Sequence, residues 1–315
     1  MSALAAANGH APPTAAGGPG RSYYGMSVIN PPVWEEKEIA GYLFLGGLAG
    51  GSSLLGAVAD LSGRPHLARR AKLTASGAIS VSLYALIKDL GRPERFINML
   101  RVFKPTSPMN IGTWIVSAYS PLNFGTSAAS VSGRLPLLGR TAGLGAGALG
   151  TLVSTYTGAL IADTAVPAWH EGHRELPFLF GSSAVLAAGG MGLVLSPRRE
   201  NSPARRMAVI GGACELVAGQ LYERRLAGSG AKQTLETGVA GRRMKLAKGL
   251  TAGGVITAAL LGRRSRPAAV AAGAALVASS ALTRFGIFAA GMKSAEDPRY
   301  TVEPQVERLR ERGLR

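Results

Sequence analysis

A chain of 315 residues, 47% of them hydrophobic, is long enough for two soluble domains. Its apolar residues, however, are gathered into blocks of about 18–25 separated by short basic loops, the pattern of a polytopic membrane protein. The formal charge of +17 does not point to nucleic acid. Lys and Arg sit in small clusters between apolar blocks (Arg198-Arg199, Arg205-Arg206, Arg242-Arg243, Arg263-Arg264), as loops facing anionic headgroups do. A single cysteine, Cys214, excludes an internal disulfide framework and any Cys-ligated iron–sulfur cluster in this chain.

Residues 1–33 are rich in Ala, Gly and Pro with one basic residue, Arg21, and read as a flexible N-terminal tail. They lack the basic-then-apolar order of a cleaved signal peptide. Tyr23, Tyr24 and Trp34 are of the type that anchors a segment at headgroup level or on a partner. Helices are then expected at 39–61, 71–87, 111–129 with Pro121 bending it, 141–165, 177–195, 207–226, 244–261 and 268–290. Each is long enough to cross a hydrocarbon core of ~30 Å at a rise of 1.5 Å per residue. The sixth is interrupted by Glu215 and is the weakest of the eight. Gly46/Gly50, Gly47/Gly51 and Gly143/Gly147 are small-xxx-small pairs that let helices approach closely in lipid. The expected fold is therefore an all-α integral membrane protein with eight transmembrane helices. Weighing Lys and Arg on alternate sides puts both termini, including the tail 291–315, in the cytoplasm of a cell (plasma) membrane.

The longest polar stretch between spans is Lys88 to Asn110, rich in Pro and Gly and carrying Arg92, Arg95, Arg101 and Lys104. A charged loop of this kind between two bilayer-length helices reads as a docking surface or the rim of a site. The four histidines, His10, His66, His170 and His173, all fall in the tail or loops, so paired axial ligands for haem are not expected. His170 and His173 flank Glu171 but have no third ligand nearby, so no metal is expected. The segment Trp169–His173 reads as an interfacial loop, solvated or touching a partner.

Ionisable residues in or at the ends of spans are functional candidates, because burying them is costly. These are Glu35, Glu36 and Glu38 at the start of the first helix, Asp60 near its end, Lys88 and Asp89 ending the second, Asp163 late in the fourth, Glu215 in the sixth and Arg284 in the eighth. Alternation puts Glu35, Glu36, Asp89 and Asp163 near one membrane face, and Tyr156 lies seven residues before Asp163 on the same helical face. Asp60 and Glu38 read as structural charges. Asp89, Tyr156 and Asp163 read as catalytic candidates, with an interfacial charge or an internal ion pair as the alternative for each. Glu215 and Arg284 read either as a buried pair or as part of a proton path.

The run Asp89-Leu90-Gly91-Arg92-Pro93-Glu94-Arg95-Phe96, followed by Lys104-Pro105-Thr106-Ser107-Pro108-Met109 and Gly112-Thr113-Trp114, resembles the NrfD-like membrane subunits, relatives of the polysulfide reductase membrane anchor. The resemblance is best over Trp34 to Phe180. It implies two four-helix bundles, 34–165 and 166–290, the first holding a quinone near the surface that faces an iron–sulfur subunit. Three places match such a site: Trp34-Glu35-Glu36 with Tyr42 beyond them, Asp89, and Tyr156-Thr157-Gly158. Some relatives carry a histidine at the start of the first helix. This chain has none there, so Glu35, Glu36 or a tail residue would substitute.

The resemblance thus implies a membrane-embedded, quinone-binding subunit of an oxidoreductase, with menaquinone or a similar quinone and no haem or iron–sulfur cluster of its own. The implied partners are a four-cluster ferredoxin-like iron–sulfur subunit docked on the loop 88–110 and a molybdenum or tungsten pterin subunit. The rival expectations are a non-redox transporter and a purely structural membrane anchor.

Overall fold

The computed structural model describes residues 29–30, 32–89, 92, 94–302 and 306. The greater part of the N-terminal tail, with Tyr23 and Tyr24, three residues of the motif loop (Leu90, Gly91 and Pro93) and most of the C-terminal tail lie outside the described residues. Among the described residues the chain is α-helical with no strand. In chain order the helices are α1 (Glu36–Leu61), α2 (Pro65–Asp89), α3 (Glu94–Met99), α4 (Pro108–Ser132), α5 (Pro136–Ala162), α6 (Pro167–Glu171), α7 (Leu176–Leu195), α8 (Ser202–Ala227), α9 (Lys232–Glu236), α10 (Gly238–Leu260) and α11 (Arg266–Glu296).

The eight expected helices correspond to α1, α2, α4, α5, α7, α8, α10 and α11, most of them longer than their apolar runs. Four of the eight, α1, α5, α7 and α11, are long and apolar enough to cross a membrane by length and composition. α2, α8 and α10 fall short because basic residues occupy their early turns: Arg69, Arg70 and Lys72; Arg205 and Arg206; Arg242, Arg243, Lys245 and Lys248. α4 is diluted by Ser117, Ser120, Asn123, Thr126, Ser127 and Ser130. It starts at a cap that its sequence spells out, Ser107 followed by Pro108, and ends on Gly133 in the left-handed region at φ 67°. Pro121 does not divide it, and α8 continues through Glu215.

α1 packs on α2 and α5, and α4 packs on α5 and α2; α7 packs on α8 and α11, and α10 on α11. α1 and α5 also pack on α7, so the two groups share one interior. The interleaved glycines of α1 serve two neighbours. A Cβ at Gly50 would collide with the Gly150 carbonyl of α5, and one at Gly51 would lie 2.5 Å from the Ala184 carbonyl of α7. Backbone approaches this close gain dispersion contacts where lipid supplies no hydrophobic drive.

The segment Trp169–His173, expected as an interfacial loop, solvated or touching a partner, is so only in part: His170 and His173 are exposed, but Trp169 is not. Trp169, on the short α6, is fully buried; its Nε1 donates to the Ile287 carbonyl at 2.8 Å. Its ring stacks on Trp34, with centroids 5.9 Å apart, and meets Phe288. An indole with a satisfied N–H favours burial among aromatics, so Trp34, just before α1, packs against the second half of the molecule.

Candidate functional site

The N-terminal end of α1, the C-terminal end of α2, the start of α4 and the end of α5 enclose a cleft. Trp34, Ile39, Leu86, Val116 and Leu160 form its apolar walls, and Met99 and Met109 reach it from the loop side. Its volume is about 60 Å³, room for a few waters. The polar groups inside are few: Tyr42, Thr113 and Tyr156, with Asp89. The Tyr42 and Tyr156 hydroxyls are in direct hydrogen-bond contact across the cleft. Ser82 of α2 donates to the Tyr42 carbonyl at 3.1 Å. Thr113 is turned back on its own helix, its hydroxyl donating to the Met109 carbonyl at 2.9 Å. Gly112 makes the site possible, since a Cβ there would overlap the Tyr156 ring.

Asp89 is the last residue of α2, past the apolar run 71–87. Burial raises its carboxyl above the ordinary carboxylate range, and the nearby Glu38 and Glu35 charges push the same way. Glu38 is itself ion-paired with Lys88, so it takes the structural part expected of it. Asp89 therefore holds its proton to a higher pH than a solvated aspartate.

Of the expected site residues, Tyr42, Asp89 and Tyr156 converge on this cleft. The others do not line it. Glu35 precedes α1, exposed and without a capping bond. Glu36 is engaged elsewhere, in an ion pair with Arg243 of α10, which also donates to the Phe285 carbonyl at 3.2 Å. Asp163 is the exposed C-cap of α5: it shares a helical face with Tyr156, but two turns on that face has left the enclosed part of the molecule. Asp60 pairs with Lys72 at 2.6 Å.

Arg92, Arg95, Arg101 and Lys104 are exposed around the cleft's loop side. Asn110 organises this loop. Its Nδ2 donates to the Met99 and Val102 carbonyls at 2.7 and 2.9 Å, and its Oδ1 accepts from Lys104 N at 2.7 Å. Phe103 packs edge-on against Trp114. Arg101 and Lys104 are thus carried on a segment whose backbone Asn110 holds. Neither Asn110 nor Gly112 stood out as a site residue in the sequence, though both belong to the motif stretch.

In the second half, Glu215 and Arg284 are both buried, but not as an ion pair with each other among the described residues. Glu215 accepts from the Thr251 hydroxyl at 3.2 Å and the Thr283 hydroxyl at 3.0 Å. Arg284 donates from Nη2 to the Phe180 carbonyl at 2.7 Å and lies over the Phe180 ring at 4.0 Å. The Arg284 Nε and Nη1 lack hydrogen-bond partners. Hydroxyls thus contact the Glu215 carboxyl directly, and Arg284 acts on it through its charge without an ion-pair contact. His170 Nδ1 faces the Ala162 carbonyl at 3.3 Å and His173 Nδ1 the His170 carbonyl at 3.1 Å. No group of three or more potential metal ligands occurs among the described residues.

A family model described as "Polysulphide reductase, NrfD" matches residues 27–210, more than half of the chain and all of the cleft. No curated protein matches it.

Proposed function

The chain belongs to the NrfD family of polysulphide reductase membrane proteins, and from that premise we propose that it is the quinone-reactive subunit of a membrane oxidoreductase complex. The observation that carries the reading is the cleft itself: two tyrosine hydroxyls in an apolar slot, a partly buried carboxylic acid at its end, and exposed basic residues beside it. A quinone, menaquinone in this reading, is the two-electron, two-proton carrier such a site accepts. The residues fit it. The walls are apolar, and the methionines Met99 and Met109 are the adaptable side chains that a planar ring would displace to enter.

The chain's own part is binding and proton handling. Tyr42 and Tyr156 bond each other in the closed cleft; parted, each offers an uncharged O–H donor to a carbonyl oxygen without bringing charge into the bilayer. Asp89 holds a proton near the surface, where it exchanges with water and passes it inward as a general acid. The apolar walls exclude water from the reacting oxygens. Asp163, Glu35 and Glu36 are left at the periphery in this reading, as carboxylates that hold protons near the face but do not bind the ring.

In the same reading the eight long helices all span, as two four-helix bundles with both termini cytoplasmic in the plasma membrane. Arg92, Arg95, Arg101 and Lys104 receive an acidic four-cluster ferredoxin-like subunit, itself attached to a molybdenum or tungsten pterin subunit. Glu215, its ring of hydroxyls and Arg284 form a proton-conducting element of the second bundle. The experiment is solvent extraction of the purified complex followed by chromatography of the extract. A stoichiometric quinone supports the reading; a protein that neither carries quinone nor binds an added quinone analogue refutes it.

A further inference from the structure

The end of the molecule opposite the quinone cleft carries a second cavity. The two lie at opposite ends of α1, which is about 39 Å long at 1.5 Å per residue. The second cavity is larger, about 600 Å³, within the size range of sites for small molecules. It opens between the α1–α2 turn and the α4–α5 turn. Its lining is basic: Arg64, His66, Arg69, Lys72 and Arg140, against one carboxylate among the lining residues, Asp60.

The electrostatic balance of this cavity is uneven. Asp60 is taken by Lys72, whose Nζ lies 2.6 Å from Oδ2 and which is only 7% exposed. That pair forms a neutral floor. Arg140 Nη2 donates to the Asp60 carbonyl at 3.4 Å and Arg64 Nη1 donates to the Arg199 carbonyl. Carbonyls orient these guanidiniums without neutralising them. Glu200 is the carboxylate facing this region from outside the lining; it accepts from Leu67 N at 3.0 Å and approaches His66 at 4.0 Å. No carboxylate pairs with Arg64, Arg69 or Arg140 among the described residues. Three planar donor forks therefore share one concavity with no counter-charge, the arrangement that recognises phosphate oxygens.

The rim has the opposite character. Leu61, Leu135, Leu137 and Leu138 are 62% to 76% exposed around the same two turns. Leu135 sits in the left-handed region at φ 53°, the only described non-glycine residue with positive φ. A leucine there is strained, so the turn holds an apolar side chain outward against its own backbone preference. Exposed leucines above a basic hollow, at the ends of membrane-crossing helices, match the border between headgroups and acyl chains.

We propose that this cavity binds the phosphate of an anionic phospholipid, with Arg64, Arg69 and Arg140 around the headgroup and the leucine rim against its acyl chains. Free phosphate shares the headgroup chemistry but gains nothing from the leucines. The zwitterionic lipids keep their phosphate but bring a cation that the three guanidiniums repel.

The test is native mass spectrometry of the full chain, delipidated in neutral detergent and titrated with phosphatidylglycerol, phosphatidylcholine or inorganic phosphate. Phosphatidylglycerol is expected to bind and phosphatidylcholine to bind much more weakly. Arg69→Gln and Arg140→Gln are each expected to weaken phosphatidylglycerol about fivefold, and together about 25-fold, at roughly 1 kcal/mol per surface cation. Lys245→Gln, on an exposed stretch of α10, is expected to leave the affinity unchanged. Equal binding of the two lipids, displacement of phosphatidylglycerol by equimolar inorganic phosphate, or an unchanged affinity in the double variant each overturns the proposal. Arg69 is exposed and takes part in no ion pair among the described residues. Should Arg140→Gln fail to fold, Arg69→Gln alone decides, and wild-type affinity in it overturns the proposal.

Discussion

Replacing Tyr156 by Phe removes one oxygen from the centre of the proposed quinone cleft and has two separable consequences. The first concerns the protein alone. The Tyr42 hydroxyl is bonded to Tyr156 in a side chain that is 5% exposed. Without that partner it is a buried, unsatisfied polar group, which costs about 1–3 kcal/mol. Removing both oxygens in Tyr42→Phe/Tyr156→Phe leaves nothing unsatisfied, so the double variant is expected to be more stable than Tyr156→Phe. The second consequence concerns quinone. A lost neutral donor is worth about 0.5–1.5 kcal/mol, a roughly two- to twelvefold rise in KM. The double variant, lacking both donors, is expected to lose at least as much. Stability and turnover thus move in opposite directions between single and double variants, which a purely structural role for the pair does not produce. Thermal unfolding in detergent and quinone-dependent turnover, with KM and kcat resolved and complex abundance matched, read the two effects. Wild-type KM and kcat in the double variant would refute the assignment of the cleft.

Asp89→Asn is expected to slow turnover and flatten its pH profile, while raising the unfolding temperature near neutral pH. A carboxyl whose pKa is raised by folding contributes stability below its unfolded pKa and loses it as pH rises through the folded value, and the amide carries no such penalty; equal stability of the two proteins at neutral pH would count against this. Reversing Arg95 and Arg101 to Glu is expected to reduce copurification of the iron–sulfur subunit in a salt-dependent way, and an intact complex at high salt would place docking elsewhere. Glu215→Gln keeps an acceptor for one of Thr251 and Thr283 and offers the other hydroxyl an N–H to accept from, but cannot exchange a proton, so quinone turnover is expected to persist while proton release from vesicles is lost; unchanged proton release would make Glu215 a structural group.

The eight long helices, their order and the small-residue faces of α1 were legible in the chain, because blocks of apolar residues and glycine spacing are local properties that lipid reads one segment at a time. Their lengths were not. α2 and α10 begin well before their apolar runs, since basic side chains at a helix end keep their charge at the interface and let the helix continue.

The sequence by itself determined the membrane class and the polar stretch around Asp89, and it singled out Tyr42 and Tyr156 as candidates. Only the tertiary structure decided which polar residues meet. Asp163 lies on the Tyr156 face of α5, yet one residue past the helix it stands in the open. Glu36 pairs with Arg243 from 207 residues away. Trp169, in a segment that read as an interfacial loop, is buried and stacks on Trp34. Glu215 is hydrogen-bonded by the Thr251 and Thr283 hydroxyls, with Arg284 felt through its charge only. Helical periodicity gives the direction of a side chain around its own axis. The partner it finds there is set by how neighbouring helices are rotated and shifted, and that depends on backbone contacts such as Gly50 on Gly150 that no single segment encodes.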